Sequence, residues 1–85
     1  MYYVYLLQSA KYKHLYAGCT RKLRERIIMH NQGRSEYTKK YTPWKLIYFE
    51  GYLSKQDAYR REKALKTSAQ GFRRLRERLG DSLQA

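Results

Sequence analysis

The chain is poor in the residues that build disulfide scaffolds, metal cages and membrane anchors. It has one cysteine, so Cys19 cannot close an internal disulfide, and a zinc site made of cysteines is excluded. A lone thiol fits a reducing cytoplasm, which is the expected location. Two histidines, His14 and His30, are too few for a histidine-rich site. No apolar run approaches the roughly 20 residues of a membrane-spanning helix, so no membrane anchor is expected. The opening Met1-Tyr2-Tyr3-Val4 enters apolar residues directly, without the basic leader of a signal peptide. Acids are scarce as well. The seven Asp and Glu residues are scattered singly, which disfavours a site holding two metal ions between convergent carboxylates.

What remains is basic and aromatic. Nineteen Lys and Arg leave a formal charge of +12, which favours polyanions: nucleic acid first, an anionic membrane surface second. Ten tyrosines, two phenylalanines and one tryptophan suit both a sheet core and stacking on bases. The 85 residues suffice for a single domain with one modest core, and no linker is long enough to split them.

Residues 2–8 are aromatic and branched and read as a strand. Alternation puts Tyr3, Tyr5 and Leu7 on one face, and Tyr2, Val4 and Leu6 on the other. After a polar turn, residues 15–19 read as a second strand, too close in sequence for anything but an antiparallel hairpin. Thr20 is the expected N-cap of a helix over 21–32, with Gly33 as its stop. Leu23, Arg26, Ile27 and His30 share one stripe of that helix and are expected to face the protein. Residues 33–43 form a basic loop, and 44–52 a third strand with Leu46, Tyr48 and Glu50 opposite Ile47 and Phe49. Ser54 to Asp57 resembles a capping box opening a second helix, whose apolar stripe carries Ala58, Glu62, Leu65 and Ala69. A third, basic helix is expected over about 71–80, ended by Gly80, with Phe72, Leu75 and Leu79 inward and Arg73, Arg74, Arg76 and Arg78 outward.

Two charges therefore sit on apolar stripes, Arg26 and Glu62, and a buried charge is costly unless paired or functional. Taken singly, each has an ordinary reading. Arg26 can snorkel, and Glu62 can pair with Lys66 one turn on. Tyr5 and Tyr16 can be sheet tyrosines, His30 a packed histidine near a helix end, and Cys19 a small buried residue. Together they match the needs of phosphodiester cleavage: a guanidinium for a phosphoryl oxygen, a carboxylate for one Mg²⁺, and a phenol as base if nearby positive charge lowers its pKa.

In order and spacing these residues resemble the GIY-YIG nuclease superfamily across nearly the full length, about 2–70. Tyr3-Val4-Tyr5 matches the GIY element and Tyr16-Ala17-Gly18 the YIG element. Leu23, Arg26, His30-Asn31 and the run Arg60-Arg61-Glu62-Lys63-Ala64-Leu65-Lys66 complete the match. The chain is similar to the small stand-alone bacterial proteins of the superfamily. The resemblance implies an α+β fold with a three-stranded antiparallel sheet flanked by helices, and a single domain over 1–85 with its core at about 2–70. It implies a metal-dependent endonuclease hydrolysing phosphodiester bonds in DNA, structure-guided or weakly sequence-specific, in the manner of DNA-repair enzymes. One Mg²⁺ or Mn²⁺ per site would be held by Glu62. Arg26 would bind phosphate, Tyr16 would be the general base with Tyr5 the second site tyrosine, and His30 would assist by hydrogen bonding.

The pattern also departs from the family. Tyr3 replaces the first glycine, and Cys19 stands where some repair nucleases carry a lysine beside the base. Arg34, Lys39, Lys40, Arg73 and Arg74 are the expected contacts to the nucleic-acid backbone, carrying charge but no sequence information. RNA stays open as a target. Two alternatives also stand: a binding module with the same fold and little catalysis, and a nuclease subunit that needs a partner protein for targeting.

Overall fold

The computed structural model of the protein describes residues 1–84. Three strands form one antiparallel sheet: β1 (Tyr2–Ser9), β2 (Leu15–Thr20) and β3 (Trp44–Tyr52), in the order β2-β1-β3. β1 is central and the most apolar strand, with Val4, Tyr5, Leu6 and Leu7 each at most 1% exposed. It pairs with β2 as the expected hairpin, Tyr5 opposite Gly18 and Leu7 opposite Tyr16.

The two faces of β1 organise two layers. Val4 and Leu6 pack with Ala58 and Leu65 of helix α2 (Lys55–Thr67) and Leu75 of helix α3 (Ala69–Arg78). Tyr5 and Leu7 pack with Trp44 and with Leu23 and Ile27 of helix α1 (Leu23–Asn31). The sheet is thus flanked by helices on both sides, the α+β arrangement expected from the pattern of elements. No helix among the described residues is long and apolar enough to cross a membrane.

The local signals act largely as the sequence suggests. Ser54 caps α2 by accepting from the Asp57 N–H at 3.3 Å, and Ser68 caps α3 by accepting from Gly71 at 3.2 Å. Gly33, at a φ of 75°, closes α1 with its N–H donating to the His30 carbonyl. Three expectations need correction. Thr20 lies two residues before the N-cap, Lys22, and its hydroxyl accepts from the Lys22 N–H instead. The loop over 33–43 is not all loop, because Thr38–Tyr41 form a 3-10 turn with Thr38 fully buried. Gly80 does not end the helical region, since a short helix α4 (Gly80–Gln84) follows α3 directly.

The strand β3 departs from simple alternation for a physical reason. Leu6 pairs with Tyr48 and Leu7 with Leu46, so Ile47 is an extra residue in the ladder. This bulge sends Leu46 to the Tyr5 side while both Ile47 and Tyr48 join the Val4 side. Glu50 follows on that side and is saturated. Its carboxylate accepts from Tyr48 at 2.6 Å, from Tyr52 at 2.5 Å and from Arg61 of α2 at 2.9–3.1 Å. The pairing ties α2 to β3 one residue before Glu62.

Burial pushes the Glu50 carboxyl up, but the hydrogen bonds from Arg61, Tyr48 and Tyr52 outweigh it and hold its pKa below the usual range. A depressed carboxyl stabilises the fold above its ordinary pKa, and that stabilisation is lost as pH falls through the folded value. Glu50→Gln is expected to lower the unfolding free energy at pH 7 by about 1–3 kcal/mol in urea titrations. The gap to wild type should close below about pH 4.

Candidate active site around the edge strand β2

Gly18 sets the geometry. A side chain there would collide with the hydroxyl end of the Tyr5 ring on the neighbouring strand, so the missing side chain lets that ring pass close over β2. The Tyr5 ring is 1% exposed, and its hydroxyl meets Nε2 of His30 at 2.9 Å. The other ring nitrogen, Nδ1, meets Oγ1 of Thr38 at 2.8 Å, and the Thr38 carbonyl accepts from the Trp44 indole at 2.8 Å. Asn31 adds a second brace, its amide bonding both backbone groups of Trp44. A chain of buried polar groups thus runs from β1 through α1 to the 3-10 turn, with every member satisfied.

Burial, and then the nearby Arg26 cation, lower the His30 pKa. The ring is therefore neutral at pH 7 and carries one N–H. Burial pushes the Tyr5 phenol up to about 12, with Tyr16 adding and Arg26 opposing. Tyr5 keeps its proton. The positive charge of Arg26 near the Tyr5 phenol favours the tautomer in which the Tyr5 O–H donates to Nε2 and Nδ1–H donates to Thr38 Oγ1.

Tyr16 stands beside this chain, its ring 5.1 Å from that of His30 and 6.4 Å from that of Tyr5. Helix α2 closes the site from the other layer. Glu62 is 22% exposed in its side chain and pairs with Lys66 at 3.0 Å. The Lys66 ammonium lies 5.4 Å from the centroid of the Tyr16 ring. Both Glu62 and Arg26 act electrostatically on Tyr5 and on Cys19. Tyr5, Tyr16, Arg26, His30 and Glu62 therefore share one neighbourhood, reached from both faces of the sheet around its β2 edge. One expectation is corrected here: Arg26 is exposed rather than held inside the apolar stripe, with its guanidinium directed at Tyr5.

The expected backbone contacts are less concentrated. Arg34, Lys39, Lys40, Arg73 and Arg74 are all exposed. Lys39 is paired with Glu36 at 3.2 Å. Arg73 lines a cleft that begins at Tyr16, and Arg74 is not among its walls.

Comparison with known proteins adds the decisive observation: the GIY-YIG catalytic domain family matches residues 1–75. The chain belongs to the GIY-YIG nuclease family. A UPF0213 protein of Clostridium perfringens is 43% identical over 67 residues, which are 78% of this chain and 71% of that protein. A UPF0213 protein of Staphylococcus haemolyticus is 42% identical over 67 residues, 78% of this chain and 80% of that one. A UPF0213 protein of Streptococcus pneumoniae is 38% identical over 65 residues, 75% and 65% of the two chains. No solved structure gives a significant match. The similarity to small bacterial proteins agrees with the resemblance read from the motifs.

In GIY-YIG terms, the two name-giving elements are cross-strand neighbours. The tyrosine of the first, Tyr5, lies on the glycine of the second, Gly18. Among the described residues no three His, Cys, Asp or Glu side chains gather into a metal cage. A single carboxylate nonetheless suits a hard cation that keeps its waters and takes oxygens from a substrate, and the Glu62 carboxylate is partly exposed, with Lys66 as the group a cation there would displace. Sequence reasoning passed over Thr38 and assigned Lys66 only a surface pairing. Lys66 was findable, because it lies one helical turn from Glu62. Thr38 carried no local signal, since only folding brings its hydroxyl to His30.

Gly18→Ala is expected to destabilise the protein by about 1–3 kcal/mol in thermal unfolding, because the Tyr5 ring is locked by burial and cannot yield. An NMR titration of the His30 ring should give a midpoint below the free value of about 6.5. The shift is downward, so stability from neutral His30 is complete above that value and is lost as pH falls below it.

Proposed function

We propose that the protein is a divalent-metal-dependent endonuclease that hydrolyses phosphodiester bonds in DNA, acting in the cytoplasm with little sequence preference. The observation that carries this reading is the meeting of two tyrosines, an arginine, a neutral histidine and one carboxylate around a single strand edge, in a chain of charge +12.

The scissile phosphate would lie against the β2 edge. Arg26, exposed yet directed at Tyr5, donates to a phosphoryl oxygen and offsets charge that grows there in the transition state. Tyr16 orients the attacking water and, as its phenolate, would take the water's proton to become the neutral phenol. The Cys19 thiol cannot assist by charge. Burial raises its pKa and Glu62 adds to the effect, so it stays neutral. The cation near Tyr16 comes instead from α2, as Lys66. Tyr5, protonated up to a pKa of about 12, acts as a donor and not as a base. His30 holds the Tyr5 hydroxyl in place and is in turn anchored by Thr38. Glu62 would hold one Mg²⁺ or Mn²⁺, which when bound supplies positive charge to the leaving oxygen. Arg34, Lys39, Lys40, Arg73 and Arg74 would position the strand through its phosphates.

Purified protein is expected to nick plasmid or branched DNA with Mg²⁺ and to stop when the ion is chelated. Glu62→Gln and Arg26→Ala should each lower the rate by roughly 100-fold or more while circular dichroism stays unchanged. Activity that survives both changes would exclude this mechanism. Salt-sensitive binding without turnover would favour a non-catalytic module.

A further inference from the structure

Beside Tyr16 the sheet edge opens into a cleft of about 980 Å³, bounded by β2 on one side and by α2, α3 and α4 on the other. Its floor is apolar, with Leu65, Phe72 and Leu83. Its basic wall carries Lys66, Arg73 and Arg76, against which Glu77 is the opposing charge. Its outer lip is Tyr37, 59% exposed, whose ring lies 5.9 Å from that of Tyr16. The cleft is contiguous with the catalytic neighbourhood, because Tyr16 and Lys66 belong to both.

We propose that this cleft is a subsite for an unpaired nucleotide adjoining the scissile phosphate, so that DNA with a single-stranded segment is the preferred substrate. The proposal rests on the nuclease reading of the adjacent site. Duplex DNA presents phosphates and sugars outward and keeps the faces of its bases stacked. Such a surface needs cations but gains nothing from a recessed apolar floor or from an exposed tyrosine. An unpaired nucleotide uses both features. Its base can stack on an aromatic face, and its phosphate meets the lysine and arginines. Cavities that take small ligands span about 300–1,000 Å³, and a single nucleotide fits that range where a duplex does not. The two tyrosine rings are too close for a base to slide between them, so the base stacks on the open face of Tyr37 or over Phe72. The excess of positive charge on the wall favours a nucleotide over an apolar peptide.

The test is fluorescence anisotropy of the full chain in chelator, so that binding is read without cleavage. Three probes are compared at one salt concentration: a thymidine 20-mer, a duplex with a single-stranded flap, and a continuous duplex. The single strand and the flap should bind at least roughly 5-fold tighter than the duplex. Tyr37→Ala and Arg76→Ala, both at exposed positions, should remove that preference while leaving duplex affinity within about 2-fold. Equal affinity for all three probes overturns the proposal, as does a uniform loss in the variants, which would mean a general basic surface. An amide NMR titration with the 20-mer should shift Thr67 to Phe72. Shifts confined to other residues would leave the cleft to a different occupant and also overturn it. Cleavage without any binding preference removes only this proposal. A preference without cleavage removes only the nuclease reading.

Discussion

The site rests on one close approach, the phenyl ring of Tyr5 lying on the bare backbone of Gly18. That contact is possible because the position opposite Tyr5 on the neighbouring strand has no side chain. It brings the hydroxyl over the sheet edge, where it meets His30. The histidine is held by Thr38, and the 3-10 turn bearing Thr38 is pinned by the Trp44 indole. Burial then determines the chemistry of each group. The phenol keeps its proton and the imidazole stays neutral, so the chain orients groups and does not store charge.

The charges of the site come from its rim and from two different layers. Arg26 arrives from the helix on one face of the sheet, while Glu62 and Lys66 arrive from the helix on the other. An edge strand is where this can happen, because side chains from both layers can reach around it. The rotation of α2 matters here, since one residue before Glu62 the Arg61 guanidinium is tied to Glu50 on the far strand. That pairing is partly buried and has tyrosine donors of its own, so it should fix α2 more firmly than an exposed ion pair would. The placement of the Glu62 carboxylate thus depends on a bond made across the sheet.

Much of this was readable along the chain. The strand bounds, the hairpin, the capping serine Ser54 and the glycine stop of α1 follow from local chemistry that neighbours do not override. The motif order pointed to the same family that comparison found. Other features were invisible for definite reasons. The bulge at Ile47 breaks the alternation of β3, because it is set by pairing with Leu6 and Leu7 and not by composition. Helix α4 has too few residues for a periodic signal. Arg26 looks buried on a helical wheel but is exposed, because a long side chain near a helix end can reach solvent and phenol together.

By itself the sequence determined the sequence-local elements, the two faces of β1, the polycationic character and the set of residue types available for phosphate chemistry. These are properties of periodicity, caps and composition, and they need no knowledge of distant neighbours. Only the tertiary structure decided which of those residues meet, that the Lys66 ammonium comes to lie over the ring of Tyr16, and that a cleft with an apolar floor opens beside them. The reason is that hydrogen bonds, desolvation and cavities arise between groups far apart along the chain. No local pattern encodes the distance at which they come to rest.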